Sequence, residues 1–96
     1  MDIKVSNQGE VYEIALSGWL DTATAPMLGE KLAEIPDGVT ELVLDLEGLE
    51  YTSSAGVRQI VTAYKQMNGN LKLKNVCPEI KDVFKMTGLD KRLNIE

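Results

Sequence analysis

The centre of the chain combines a strand pattern with a helix pattern that follows it at once. Residues 41–46 (ELVLDL) have the apolar centre of a buried strand. The apolar residues after it recur at helical spacing: Val57, Ile60, Val61, Tyr64 and Met67. A strand that leads straight into an amphipathic helix predicts a crossover to a parallel strand, and therefore an α/β sheet.

The turn inside this unit carries two serines, Ser53 and Ser54. The first N–H groups of the following helix lack intrahelical partners there, and the helix dipole is positive. A hydroxyl at this point can cap the helix, and it can also be a site where a phosphate is added and tolerated. The spacing alone favours the cap, and one hydroxyl is able to serve both purposes.

The patterns along the chain predict the element order ββαβαβαβ. The segments are strands near residues 3–5 and 11–16, a helix begun by Thr22 or Thr24 and Pro26, a strand at 39–46, a helix at 54–68, a strand at 71–74, a helix from Pro78 to Gly88, and a short strand at 93–95. The first two strands predict a hairpin, and the later crossovers predict parallel neighbours. We therefore expect one α/β domain over residues 1–96, a mixed sheet with helices packed against it.

The third strand is apolar on both sides of its centre. Leu42, Val43 and Leu44 are consecutive, so apolar side chains point to both faces of the sheet. This pattern predicts that the strand is covered on both faces.

Composition narrows the class of protein. The chain has 96 residues, 44% of them hydrophobic, and one cysteine, Cys77. No apolar run approaches the ~20 residues of a membrane span, and residues 1–4 do not begin like a signal peptide. A single cysteine fits a reducing compartment. We expect a cytoplasmic protein that is not inserted in a membrane.

Charge and the missing histidine exclude several functions. Ten basic and fifteen acidic residues give a net charge of −5, which disfavours nucleic acid and anionic lipid as partners. The chain has no histidine, which removes the commonest general base and metal ligand. We expect no metal site and no cofactor.

Three segments in this order resemble the STAS domain of bacterial anti-sigma factor antagonists. They are residues 16–26 (LSGWLDTATAP), residues 44–51 (LDLEGLEY) and residues 53–57 (SSAGV). The first is similar to the family's Gly-x-Leu-Asp segment before helix one. The second is similar to its third strand and the following turn, and the third to its phosphorylation motif. The resemblance extends over essentially the whole chain and implies the STAS fold.

The resemblance also implies a phosphorylated serine. In that family, a partner that is both anti-sigma factor and kinase phosphorylates a serine at the start of the second helix, commonly in an Asp-Ser-Ser/Thr-Gly-Leu motif. Alignment on Gly56 puts Ser54 on the phosphoacceptor, Ala55 on the Ser/Thr position and Ser53 on the acidic residue. Ser53 in place of the aspartate departs from the common motif and makes Ser53 an alternative acceptor.

The implied function is that of a regulator without enzymatic activity. The domain would capture an anti-sigma factor and so free a sigma factor, until phosphorylation ends the binding. A serine phosphatase would restore it. ATP and magnesium would bind the partner, because this chain lacks a phosphate-binding Gly-x-x-x-x-Gly-Lys loop. The expected partner-binding residues are Asp21, Thr22, Asp45, Ser53, Ser54, Ala55, Gly56 and Arg58.

Several of these residues also have a purely structural interpretation. Asp45 can cap loop N–H groups, and Asp21 can stabilise a turn. If the loops converge, four acids would lie near the phosphate: Asp21, Asp45, Glu47 and Glu50. Trp19 is either an exposed interface anchor or a side chain buried at the end of the sheet.

Two other functions compete with the leading one. Some STAS domains are structural subunits, for example of lipid-transport ATPase complexes, and bind without a phosphorylation cycle. The missing aspartate before Ser54 favours that alternative. An enzyme with Ser54 as nucleophile is disfavoured, because Gly-x-Ser-x-Gly and histidine are both absent.

Overall fold

The computed structural model describes residues 1–95, which form a five-stranded mixed sheet and three α-helices. The elements are β1 (Asp2–Gln8), β2 (Val11–Leu20), α1 (Ala25–Ala33), β3 (Glu41–Thr52), α2 (Ser54–Gln66), β4 (Leu71–Lys74), α3 (Pro78–Thr87) and β5 (Asn94–Ile95), with a short 3-10 turn at Leu89–Lys91. The predicted order and the mixed α/β sheet are confirmed.

The strands lie side by side in the order in which the chain forms them. β1 and β2 are an antiparallel hairpin, and the pairs β2–β3, β3–β4 and β4–β5 are parallel. Each crossover therefore moves one strand in the same direction across the sheet. Right-handed crossovers that all step the same way carry their helices on the same face.

The core lies between that face and the helices. Leu42, Leu44 and Leu46 of β3 are fully buried in one cluster with Leu28 of α1 and Ile60 of α2. Val43 is also buried, at 8% exposure, but it does not belong to this cluster. Its side chain therefore points to the opposite face of the sheet.

The expectation that β3 is covered on both faces is confirmed at Val43, although the three helices within residues 1–95 all pack on the other face of the sheet. In the register of the sheet Val43 lies between Glu13 of β2 and Lys72 of β4. The Lys74 Nζ is 3.0 Å from the Glu13 Oε1, and the hydrogen bond to Glu13 raises the pKa of Lys74. The alkyl stems of charged side chains thus cover Val43 on this face. The apolar pattern of the sequence cannot distinguish this kind of cover from a second layer of helices.

The helices begin and end close to the predicted positions. Thr24 occupies the N-cap position of α1 with Pro26 in its first turn, and Gly88 ends α3 with a φ of 75°. Such a positive φ suits glycine, because it has no Cβ. Ile35 lies beyond the end of α1 and packs against the core from the following turn.

The strands β1, β2 and β3 are longer than predicted, and the length of β2 and β3 positions the site. β2 continues to Leu20 and β3 to Thr52, with register shifts between Ala15 and Ser17 and between Gly18 and Trp19. The sequence suggested turns here, but the irregularities keep the strands paired. Both strands consequently end together, with Leu20 opposite Thr52.

No helix within residues 1–95 combines the length and the apolar character that crossing a membrane would require.

Candidate functional site

The site lies where the carboxyl ends of β2 and β3 meet. The backbone N–H of Ser53 donates to the carbonyl oxygen of Leu20 at 2.9 Å, just beyond the last paired residues of the two strands. This bond places the start of α2 beside the turn that leads into α1. The two segments of the chain that carry the predicted site residues are therefore adjacent.

The two serines have different environments. Ser53 is the N-cap of α2, with extended backbone (φ −96°, ψ 177°), and its hydroxyl accepts a long hydrogen bond of 3.5 Å from the N–H of Gly56. Ser54 is the first residue of the helix and is exposed. Its hydroxyl has no hydrogen-bond partner among residues 1–95. The structure thus assigns the cap to Ser53 and leaves the Ser54 hydroxyl open to solvent.

Close packing fixes the first turn of α2 against the ends of the strands. Gly56 is buried, and a Cβ placed on it would overlap the Thr52 hydroxyl and lie 2.7 Å from Cγ and 2.8 Å from the carbonyl oxygen of Leu20. Thr52 is 4% exposed, and its hydroxyl donates to the carbonyl of Ser53 at 3.3 Å. Gly56, expected to contact a partner, therefore faces the protein interior, whereas Ala55 beside it is half-buried.

Asp21 organises the neighbouring turn. Its Oδ1 accepts hydrogen bonds from the N–H groups of Ala23 at 3.0 Å and Thr24 at 3.1 Å. The Thr24 hydroxyl accepts from the N–H of Asp21 and donates to the carbonyl of Trp19, each at 2.8 Å. The same hydroxyl lies within hydrogen-bond distance of the Asp21 Oδ1, at 3.1 Å, and hydrogen bonds from the Thr24 N–H and then from this hydroxyl lower the pKa of Asp21. Asp21 thus has the structural role of a turn residue as well as lying next to the serines.

Two further predicted contact residues reach the surface at this end of the fold. Thr22 is exposed in the turn held by Asp21. Arg58 is exposed on α2, four residues after Ser54. Its side chain makes no ion pair within the part of the chain that the structure describes.

Asp45 lies elsewhere, so the predicted convergence of the acids is wrong for it and for Glu47. Asp45 is seven residues before the end of β3, roughly 20 Å away at the usual rise per strand residue. Its Oδ1 accepts from the Glu47 N–H at 3.1 Å and from the Asn75 side-chain amide at 3.0 Å. It therefore caps N–H groups, the structural role that the sequence also allowed. The expectation failed because β3 continues through what looked like a turn.

An aromatic pair lies beside the serines, and the sequence pointed to only one of its two residues, Trp19. Trp19 of β2 and Tyr51 of β3 are register partners, with ring centroids 5.2 Å apart and planes tilted by 46°. They are 58% and 45% exposed, so Trp19 is not buried at the sheet end. Tyr51 was missed. Strand alternation would have found it, since Leu20 and Thr52 point inward and their predecessors must point outward.

Comparison with known proteins agrees with this architecture. The family model of the STAS domain matches residues 2–96. The anti-sigma-B factor antagonist of Staphylococcus aureus is 30% identical over 99 residues, which covers 99% of this chain and 92% of that protein.

Solved structures of SpoIIAA share the fold. The anti-sigma factor antagonist SpoIIAA in its unphosphorylated form superposes with a TM-score of 0.82 at 22% identity, over 99% of this chain and 88% of that one. The Bacillus cell fate determinant SpoIIAA in the phosphorylated form gives a TM-score of 0.69 at 20% identity, over 99% and 91%. The match of the family model over residues 2–96, together with the S. aureus relative at 30% identity, shows that the chain belongs to the STAS domain family.

Proposed function

We propose that this protein is an anti-sigma factor antagonist whose binding is ended by phosphorylation of Ser54. The observation that carries the proposal is the exposed hydroxyl of Ser54, without a hydrogen-bond partner in residues 1–95, at the first residue of α2. A kinase can reach this hydroxyl without disturbing the fold. The relative from S. aureus, at 30% identity, is named an antagonist of an anti-sigma factor. One of the SpoIIAA structures is described as phosphorylated.

The contacts at the turn favour Ser54 over Ser53 as the acceptor. The Ser53 hydroxyl is half-buried and accepts from Gly56, so modification there would remove the cap of α2. Serine and aspartate are about equally good N-caps. Ser53 therefore supplies the capping group that an aspartate would supply at this position. The departure from the common motif leaves the accessibility of Ser54 unchanged.

The phosphorylated protein should stay folded. A phosphate adds about −1.5 to −2 charges, and the positive end of a helix stabilises a negative group by roughly 0.3–1 kcal/mol. Ser54 makes no side-chain contact that the phosphate would break within the described residues. The change is therefore confined to the surface.

A phosphate on this surface would weaken the binding of the partner. A dianion at a contact that excludes water must be desolvated, and it repels acids nearby. Asp21 lies in the adjacent turn, and Glu50 is exposed four residues before Ser54. The chain already carries a net charge of −5, so the effect adds to an acidic background. A loss of about 2.7 kcal/mol would weaken binding about a hundredfold.

The remaining parts of the function follow from the same proposal. The protein is a kinase substrate and a binding module, not an enzyme, and it acts in the cytoplasm. The partner is an anti-sigma factor with serine kinase activity, which holds ATP and magnesium. A serine phosphatase returns the protein to its binding form.

The test is phosphorylation in an extract of the host, supplied with ATP and magnesium. Peptide mass spectrometry should find one phosphate on Ser54. A Ser54→Ala variant should remain unmodified, while Ser53→Ala should still be modified. The unmodified protein should then bind a kinase from the extract that also binds a sigma factor. The phosphorylated protein should not bind this kinase.

The contrary results are equally specific. Absence of phosphate in an extract that modifies a positive-control substrate would refute the switch and favour a STAS subunit that binds constitutively. Phosphate on Ser53 would keep the switch and refute the assignment to Ser54. Equal retention of the kinase by both forms would refute the effect on binding.

A further inference from the structure

We propose that Arg58 is the intramolecular counter-charge for a phosphoryl group on Ser54. The guanidinium pairs with the phosphate along one face of α2. Phosphorylation therefore also makes the positive charge of Arg58 unavailable to the partner. This inference rests on the proposed modification of Ser54. It deepens that proposal by naming the residue of this chain that holds the phosphate.

The spacing brings the two side chains together. Ser54 and Arg58 are four residues apart in α2 and both are exposed. Side chains at this spacing lie on the same helix face, with Cβ atoms about 5–6 Å apart. A long side chain in a helix leans toward the N-terminus, so Arg58 leans toward Ser54. An anion that precedes a cation by four residues is also the more favourable order.

Arg58 has no competing anion on its own helix. The sequence of α2, SAGVRQIVTAYKQ, contains no aspartate or glutamate. The one side-chain hydrogen bond at this residue involves its backbone, because the Thr62 hydroxyl donates to the Arg58 carbonyl at 3.0 Å. A cation this close to a helix N-terminus gains nothing from the helix dipole. A phosphate on Ser54 would be the first anion on this helix able to pair with it.

The same geometry discriminates between the two serines. Ser53 lies five residues before Arg58 and outside the helix, as its N-cap. Its hydroxyl accepts the hydrogen bond from the N–H of Gly56. A phosphate on Ser53 would therefore not share the helix face of Arg58, whereas a phosphate on Ser54 would.

The pairing gives phosphorylation two effects at the surface. Arginine binds phosphate through a planar fork of N–H donors, which favours a fixed, bidentate contact. In the unmodified protein the Arg58 guanidinium is exposed and can meet an acidic group of the partner. In the phosphorylated protein the phosphate occupies that guanidinium. The partner then faces the new negative charge of the phosphate, and the guanidinium of Arg58 is no longer available to it.

The experiment installs phosphoserine at position 54 during translation, so that no kinase is needed. The second pKa of the phosphate is followed by phosphorus NMR in the full chain. We expect it to rise by about 0.2–0.4 on Arg58→Gln, the size of one helical ion pair. Arg58→Lys should give a smaller rise. Lys65→Gln, which removes a cation near the other end of α2, should leave the pKa unchanged.

Asp21 does not obscure this titration. Asp21 in the adjacent turn has a lowered pKa, well below the second pKa of a phosphate near 6. It therefore keeps its charge throughout. Circular dichroism of each variant reports whether α2 is intact, and Arg58 is exposed, so its replacement should not unfold the protein.

The outcomes separate this pairing from the proposed function. A phosphate pKa that is the same in Arg58→Gln and in the parent protein would overturn the pairing, even if the host kinase modifies Ser54. A phosphate pKa that is raised in Arg58→Gln and unchanged in Lys65→Gln would support it. Failure of the host extract to modify Ser54 would refute the proposed function and would leave the measured pairing standing.

Discussion

The backbone N–H of Gly56 donates to the hydroxyl of Ser53, and this contact separates the roles of two adjacent serines. Ser53 caps α2 from the turn, while the next residue begins the helix with an exposed side chain. The arrangement makes the two hydroxyls experimentally distinguishable. One should affect stability, and the other should affect regulation.

Replacement of Ser53 by alanine should destabilise the protein by about 0.5–1 kcal/mol. The N–H of Gly56 would lose its side-chain acceptor, and loss of a serine cap typically costs about 1 kcal/mol. The bond is long, at 3.5 Å, so we expect a value no higher than this. Urea unfolding at pH 7 measures the difference. Ser53→Asp should restore most of the stability, because aspartate is an equivalent cap.

Ser54→Ala is the matched control for the cap. Its hydroxyl has no partner in the described residues, so the free energy of unfolding should change by less than about 0.5 kcal/mol. A loss in Ser54→Ala as large as that in Ser53→Ala would contradict the assignment of the cap.

Gly56→Ala should destabilise the protein by about 1–3 kcal/mol, although alanine is the better helix former. The new methyl group would overlap the Thr52 hydroxyl and crowd Leu20, which lie at the fixed ends of two strands. The change in helix propensity offsets only about 1 kcal/mol of this. Chemical denaturation measures the sum.

Gly29→Ala tests the same substitution in a different environment. Gly29 is in α1, and a Cβ there would lie 3.2 Å from the side-chain oxygen of Gln59, whose flexible end can move. We expect a change between zero and a gain of about 1 kcal/mol. If both alanine variants were equally stable, the close approach at Gly56 would not be the reason for its glycine.

The sequence sufficed to predict the order of elements, because each helix and strand carries its own periodicity. Ile80 and Phe84, for example, lie on the buried face of α3, as their spacing indicates. The turn that contains the serines was also found, since it separates two periodic segments. These features depend on local patterns.

The features that escaped prediction depend on how strands pair. Asp45 was assigned to the serine end because the strand was expected to end at Leu46, but β3 continues, and Gly48 lies opposite Ser17 within the paired strands. A Cβ on Gly48 would lie 2.6 Å from the Ser17 Cβ, so this glycine permits close pairing and not a turn. Likewise, the apolar stretch around Val43 predicted cover on both faces, but it did not reveal that the cover on the Val43 face comes from the distant pair of Glu13 and Lys74. Neither register nor a cross-strand ion pair is visible in local periodicity.

Asp21 should make folding stability depend on pH. Hydrogen bonds from Thr24 lower its pKa in the folded state, whereas in the unfolded chain it titrates near an ordinary value of about 3.9. The stabilisation is therefore complete above the unfolded pKa and is lost as the pH falls through the lower folded pKa. Asp21→Asn keeps an oxygen acceptor and removes the titration. The stability lost between pH 7 and pH 3 should be smaller in this variant.

Asp37→Asn is the matched control for charge. Asp37 is exposed in the turn before β3, so its replacement removes one negative charge away from the Thr24 contacts. Urea unfolding of the three proteins across this pH range gives the comparison. Equal acid sensitivity of Asp21→Asn and the parent protein would show that the Asp21 carboxylate does not contribute in this way.

Trp19 should be an anchor of the partner interface. It is 58% exposed, and its ring contacts the tilted ring of Tyr51 at the strand ends next to Ser53. Large aromatic side chains that are already held in place lose little entropy on binding and dominate many interfaces. With the anti-sigma factor identified from the host, Trp19→Ala should weaken binding by about thirtyfold or more in calorimetry, which corresponds to roughly 2 kcal/mol. Loss of the ring contact should cost no more than about 1 kcal/mol of folding stability.

Met86→Ala is the control for a lost exposed apolar side chain. Met86 is 87% exposed on α3, away from the strand ends that carry the serines, so binding should be unchanged. Tyr51→Ala should weaken binding less than Trp19→Ala, and the double variant should lose less than the sum, because removal of either ring releases the other. Equal affinities for Trp19→Ala and Met86→Ala would exclude the aromatic pair from the interface and confine partner contact to the turns around Thr22 and Ser54.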